Sequence, residues 1–248
     1  MEALEARLRL RERPLTPVVM RQRWEHLLFL HWRVSADAVQ RTLPPGLYVD
    51  TFDDSAWVGV VPFAMRGVRP VYLPPVPGIS NFLELNVRTY VHDGKGNYGV
   101  WFYSLEANQA LAVWAARKFF NLNYLHAKMQ MRESGGDIVY SSQRRQGELQ
   151  QFHYRSAGIE HTAAPGSLEF FLIERYLLFS VTREQELRYG RVHHAPYRIS
   201  TAETDIWSAW GVGAADLAEP EAKPDSILYS RLLTVNIFGL TSDPGNQT

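Results

Sequence analysis

From Trp24 onward the chain is a succession of short apolar runs rich in β-branched and aromatic residues, each closed by Gly, Pro, Asn or Asp. Runs of that length and composition read as strands. Within residues 24–32, Leu28, Leu30 and Trp32 alternate with Leu27, Phe29 and His31, and both sets are largely apolar. A strand apolar on both faces is one covered on both sides. Residues 56–64 and 99–105 repeat the pattern, and shorter strands are predicted near 124–131, 137–143, 151–157, 177–181, 187–193, 197–201 and 227–239. Helix signals are few. Ser35 can cap a short helix that Pro44-Pro45-Gly46 ends, and Ser167 can cap another over 168–176. The strongest is 108–120, with Asn108 as its cap and Arg117 and Lys118 in the last turn, where the helix dipole favours cations. It is apolar nearly all round, which predicts burial. The fold class expected is α+β, mainly antiparallel sheet curling around one or two helices.

Composition removes several functions. The 248 residues carry 26 basic and 26 acidic side chains, a formal net charge of zero. Nucleic-acid binding, which is driven chiefly by neutralising phosphates, is not expected. There is no cysteine, which excludes disulfides, thiol nucleophiles and thiolate metal sites. Residues 1–14 are charged every second or third position and lack the apolar core of a signal peptide. No apolar stretch reaches membrane-spanning length. A cytoplasmic location is expected, with no membrane partner. We divide the chain into a helical, exposed extension over 1–20, one domain over 21–241 and a disordered tail over 242–248.

Two motifs invite over-reading. Gly94-Lys95-Gly96-Asn97-Tyr98-Gly99 matches the dinucleotide fingerprint letter for letter. That mechanism needs the glycines to open a helix, and the residues that follow read as a strand. A glycine-rich hairpin turn is expected instead. His193 and His194 are adjacent, so on a strand they point to opposite faces and cannot share one ion. No metal and no cofactor are expected. Residues 70–78 hold two P-x-x-P frames and read as a stiff surface connection.

The polar set in 82–91 matters more. Glu84, Asn86, Arg88 and Tyr90 recur with period two and share one face. Such a face is either wetted by solvent or lines the inside of a closed sheet, where a carboxylate and a guanidinium could meet a small anion or carbonyl.

Five stretches together carry a resemblance. They are residues 24–32, Leu43-Pro44-Pro45-Gly46-Leu47, residues 56–63, Glu84-Leu85-Asn86-Val87-Arg88-Thr89-Tyr90-Val91, and Phe171-Leu172-Ile173-Glu174-Arg175-Tyr176. In these the chain resembles the YqjF-like family of unknown function, over about residues 21–240. That family is in turn similar to acetoacetate decarboxylase, which implies a cone-like, mostly antiparallel barrel with flanking helices around a small apolar pocket. The decarboxylase works through a lysine Schiff base, with an Arg-Glu pair followed by Tyr-Pro-Lys-Lys. Anchored on Arg117, that pattern falls on Lys118, Leu122, Asn123, Tyr124 and Leu125, so the Schiff-base lysine and its neighbour are both replaced. The pocket glutamate falls near Glu84, and an arginine early in the barrel near Arg23. The resemblance implies a small-molecule pocket with Glu84 as the catalytic candidate and Arg23, Arg88, Arg117, Asn123 and Tyr124 as ligand-binding candidates. The ligand would be a small carbonyl or carboxylate compound, bound or turned over without a Schiff base. The other reading is a non-catalytic scaffold with a filled barrel. A homo-oligomer is compatible with either.

Overall fold

Asp93 turns the chain on itself. One carboxylate oxygen accepts hydrogen bonds from the backbone N–H groups of Lys95 (2.8 Å) and Asn97 (3.2 Å), and the other accepts from the Asn97 amide (2.7 Å). Gly94 and Gly96 take positive φ in this turn, a conformation that costs glycine little. The fingerprint-like run is therefore the hairpin between β4 (Phe82–His92) and β5 (Tyr98–Ala107). Its last glycine has a separate reason. A Cβ on Gly99 would sit well inside van der Waals contact of the Leu177 carbonyl oxygen. We expect Gly99→Ala to destabilise the fold by about 1–3 kcal/mol, the usual range for overpacking. Equal urea midpoints for parent and variant would contradict this.

The computed structural model describes residues 2–243, apart from the side chains at positions 115 and 119. The stretch expected to be a disordered tail, 242–248, lies from 244 on outside the described residues. The chain opens with α1 (Glu2–Arg9), then β1 (Val18–Val34), α2 (Ala36–Gln40), β2 (Tyr48–Val49) and β3 (Ala56–Pro70). After the β4–β5 hairpin come α3 (Ala110–Phe120), β6 (Tyr124–Ser134), β7 (Asp137–Arg144) and β8 (Gln150–His161). The rest is α4 (Leu168–Ile173), β9 (Leu177–Val181), β10 (Leu187–His193), β11 (Ile199–Ile206), α5 (Trp210–Gly213) and β12 (Ser226–Phe238).

The strands form one sheet in the order β10-β9-β5-β6-β7-β8-β11-β12-β1-β3-β4-β2, with β4 also bonded to β5 and β10 to β12. Pairing therefore runs in a closed circuit from β5 through β6, β8, β12, β1 and β4 back to β5. All pairs are antiparallel except β5–β6 and β5–β9. The parallel β5–β6 pair needs a crossover connection, and α3 supplies it.

Both faces are buried along β4, most of β3 and the second half of β1, as the double apolar pattern predicts, whereas β6, β7 and β8 keep an exposed side. Leu27 and Phe29 belong to one hydrophobic cluster, while Leu28, Leu30 and Trp32 belong to another. On β4, Leu83, Leu85 and Val87 enter the second cluster, which turns Glu84, Asn86 and Arg88 toward the first. Each fully buried large apolar side chain in these clusters contributes about 1.5–3 kcal/mol.

Two helix expectations are corrected. Helix α3 begins two residues after Asn108. Gln109 is its cap, accepting from the Leu111 N–H (3.1 Å), while the Asn108 side chain accepts from the Leu83 N–H (2.8 Å). Nor is α3 buried all round: Leu111 and Trp114 are 49% and 52% exposed, because the helix covers the rim of a cavity and not a packed interior. Helix α1, expected to be exposed, is docked. Ala6 and Leu10 are buried, and Arg7 bonds Asp50 at 2.6 Å.

Candidate functional site

A cavity of about 480 Å³ lies on the face of the sheet toward which Glu84, Asn86 and Arg88 point. Most of its wall is apolar, including Leu27, Val61, Phe63, Val100, Phe102 and Leu105. Ile79, Leu111 and Trp114 line it and are also exposed, so they mark where it opens to solvent.

Sheet register brings the polar wall together. Glu84 pairs with Ala107 and Asn86 with Leu105 across β4–β5, and Leu105 pairs with Tyr124 across β5–β6. Tyr124 thus lies two strands from Glu84 on the same face, and its hydroxyl donates to Glu84 Oε2 at 2.7 Å. Glu84 is 2% exposed. Burial pushes its carboxyl up to about 7, against the lowering effect of hydrogen bonds from Tyr124 and Asn86. Burial and the neighbouring Glu84 hold the Tyr124 phenol well above its usual range, so it stays a neutral donor. A carboxyl that titrates near neutrality in a largely apolar cavity can either give or take a proton at pH 7.

Arg88, 8% exposed, is further along the wall. Its Nη2 donates to the Leu172 carbonyl oxygen (3.1 Å), while its Nε is buried without a hydrogen-bond partner. No described carboxylate lies within 4.0 Å of it. Arg175 also lines the cavity but is paired with Asp50 at 2.8 Å, and Asp50 is shared with Arg7. Arg7 and Arg175 therefore share one carboxylate at this end, and Arg88 has none.

The remaining sequence candidates are elsewhere. Along the first part of β1, Met20, Gln22 and Trp24 line the cavity, so the alternating Arg23 faces out and pairs with Glu25 at 2.7 Å. Arg117 is exposed and donates from Nε to the Tyr124 carbonyl oxygen (2.5 Å); Ala116 and Phe120 of the same helix line the cavity in its place. Asn123 donates to the Tyr103 carbonyl oxygen (2.6 Å) on the outside, where it lines a separate surface cleft. Arg23, Arg117 and Asn123, expected as ligand-binding residues, thus do not line this cavity. Glu84, Arg88 and Tyr124 are brought to one wall.

Sequence reasoning put Asn86 on the polar face but gave it no role, and it missed Arg175 and Tyr197. For Arg175 a signal existed: an ionic Glu-Arg pair inside the apolar run over 170–179 needs buried partners. None of the four lysines, Lys95, Lys118, Lys128 and Lys223, is a lining residue. Among the described residues no three His, Asp or Glu side chains gather as a metal site, and no helix is long and apolar enough to cross a membrane.

This fold is shared with solved structures at low sequence identity. An acetoacetate decarboxylase-like enzyme from Sphingomonas wittichii RW1 superposes with a TM-score of 0.63 at 12% identity, covering 92% of this chain and 94% of that one. Acetoacetate decarboxylase from Legionella pneumophila gives 0.62 at 12% identity, covering 92% and 90%. The enduracididine biosynthesis enzyme MppR, solved with pyruvate, gives 0.61 at 14% identity, covering 92% and 91%. In sequence, the uncharacterized protein YqjF of Bacillus subtilis (strain 168) is 38% identical over 208 residues, 83% of this chain and 85% of its own. The family model DUF2071, described as an uncharacterized conserved protein, matches residues 21–234. On those two matches the chain belongs to the YqjF-like DUF2071 family.

Proposed function

We propose that the closed circuit of strands is a conical barrel whose cavity binds a carbonyl or carboxylate compound, and that Glu84 moves a proton on it without a Schiff base. The observation that carries this reading is the Glu84 carboxyl, buried on the cavity wall and held by the Tyr124 hydroxyl at 2.7 Å, where burial pushes it up to about 7. Near that pH both protonation states are populated, which is what general acid–base exchange on a carbon next to a carbonyl requires. Tyr124 holds one carboxylate oxygen and so fixes the direction of the other. No lysine among the lining residues could form an imine, which directs the reading to proton transfer. An open volume of about 480 Å³ supports a ligand site over a filled scaffold, since ligand cavities fall at about 300–1,000 Å³.

The test is a thermal-shift screen of keto acids and carboxylic acids on the full chain, followed by hydrogen–deuterium exchange at the carbon next to the carbonyl of each binder. We expect exchange to be catalysed and to fall at least 100-fold in Glu84→Gln, while the ligand still raises the melting temperature. Specific binding raises it by mass action. Exchange equally fast in parent and variant would reject Glu84 as the acid–base group. Borohydride trapping of a substrate on Lys118 or Lys128 would reject chemistry without a Schiff base.

A further inference from the structure

The cavity has two polar poles, and they are far apart. Glu84 and Arg88 stand four residues apart on β4, roughly 13 Å at about 3.3 Å per residue. The register shift near Arg88 adds a residue to β5, where Ser104 and Phe102 face consecutive β4 residues, so β4 itself keeps its full length. The Arg88 side chain is also held in place on this wall. Its Nη2 shares the Leu172 carbonyl with the Tyr90 hydroxyl, and its guanidinium carbon is 5.5 Å and 5.8 Å from the ring centres of Phe29 and Tyr90. Asn86 lies between the poles, 5% exposed, with an unpartnered Oδ1. The rest of the span is apolar.

A buried guanidinium whose Nε has no hydrogen-bond partner and which has no carboxylate beside it suits an anion, and a planar carboxylate fits its fork. Proton transfer is assigned to the other pole. A three- or four-carbon keto acid reaches only one of the two. We infer that the ligand is an amphipathic monocarboxylic acid with a backbone of about eight carbons, its carboxylate on Arg88 and its reacting carbon beside Glu84. At a C–C bond length of about 1.52 Å, a zigzag chain of that size advances on the order of 10 Å, which matches the gap left between two inward-reaching side chains. The assignment of the reacting end rests on the acid–base reading of Glu84, whereas the carboxylate anchor and the length rest on Arg88 and the apolar wall.

Isothermal titration of the full chain with butanoate, hexanoate, octanoate and octan-1-ol tests this. Each methylene placed on the apolar wall should tighten binding by about fourfold, so octanoate binds on the order of 100-fold more tightly than butanoate. Octan-1-ol, which offers Arg88 no charge, should bind at least tenfold more weakly than octanoate. Arg88→Met should abolish that preference and still fold, because Tyr90 keeps the Leu172 carbonyl satisfied. As a second handle, Leu105→Phe, at a position opposite Asn86 and so between the poles, narrows the wall and should weaken octanoate far more than butanoate. Equal affinities along the acid series, or octan-1-ol matching octanoate in the parent, would overturn the inference. If only acetoacetate and other short acids bind and exchange still needs Glu84, the acid–base reading stands and the length inference falls. If octanoate binds through Arg88 while Glu84→Gln changes no exchange, the anchor stands and the acid–base reading falls.

Discussion

Replacing Glu106 by leucine is expected to lower the stability of the fold by about 3–5 kcal/mol, the cost of removing one partner from a buried ion pair. Glu106 is fully buried one residue after the cavity-lining Leu105, so it points to the opposite face of β5. There it accepts from the Ser142 hydroxyl, from Arg144 Nε at 2.6 Å and from the Gln150 amide at 3.0 Å. Arg144 also reaches the Ser104 hydroxyl (2.8 Å) and stacks over Trp210 at 4.9 Å. Leucine would leave three donors facing an apolar side chain. Arg144 is 15% exposed and can turn partly to water, so the lower end of the range applies if it does. The urea midpoint should fall at unchanged slope. Adding Arg144→Met should restore much of the loss, because a buried pair replaced as a unit by apolar groups is often neutral. A single variant within 1 kcal/mol of the parent would mean that the network is not holding β5. The consequence reaches the site, since Glu106 pairs with Leu125 in the same β5–β6 ladder that sets Tyr124 against Glu84.

The strands were the most legible part of the sequence, and the reason is physical. Runs such as 24–32 and 56–64 carry apolar residues on both faces, and that pattern survives only in a sheet covered on both sides; the two clusters divide β1 as its alternation predicts. The polar set on β4 was legible as a face but not as an interior, because period two says which side chains travel together and not what covers them. What places Glu84 in an apolar cavity is the closure of β4 onto β5 and of β5 onto β6, contacts 20 to 40 residues away that no local pattern encodes. The same limit explains Arg23. Its placement depended on register, and on a strand a shift of one residue reverses the face, so Gln22 and Trp24 took the wall. Arg117 and Asn123 came from a motif whose own lysines are replaced here, and once the nucleophile is gone the flanking positions carry no chemical constraint to face inward. Asp50 had no signal at all. It directly follows the two-residue β2, and only the folded chain brings Arg7 and Arg175 to it.

The stability of the parent should differ from that of Glu84→Gln in a pH-dependent way, by about 3 kcal/mol in total. The carboxyl moves from 4.5 in the unfolded chain to about 7 in the fold, because burial penalises the charged form more than Tyr124 and Asn86 favour it. Below about 4.5 both states hold the proton and the group contributes no pH dependence. Between 4.5 and about 7 the folded state keeps a proton that the unfolded state has released, so stability falls as pH rises. Above about 7 both are ionised and the loss is complete. Glutamine has no proton to lose, so the variant should gain on the parent steadily from pH 4.5 to 7 and hold that gain at pH 8. The absolute profile of either protein is no guide. His194, lowered to about 4 by burial, and His31, also lowered, favour the fold as pH rises through the same range. Only the difference between parent and variant isolates Glu84, and urea titrations at half-unit intervals from pH 4.5 to 8 measure it. Tyr124→Phe should move the same midpoint. Losing that donor removes a contact that favours the carboxylate, so the Glu84 midpoint should rise beyond 7 and the gain of Glu84→Gln in that background should continue to higher pH. A difference that is flat from pH 5 to 8 would mean that Glu84 ionises as it does in water, and a carboxyl of that kind could not serve as an acid near neutrality.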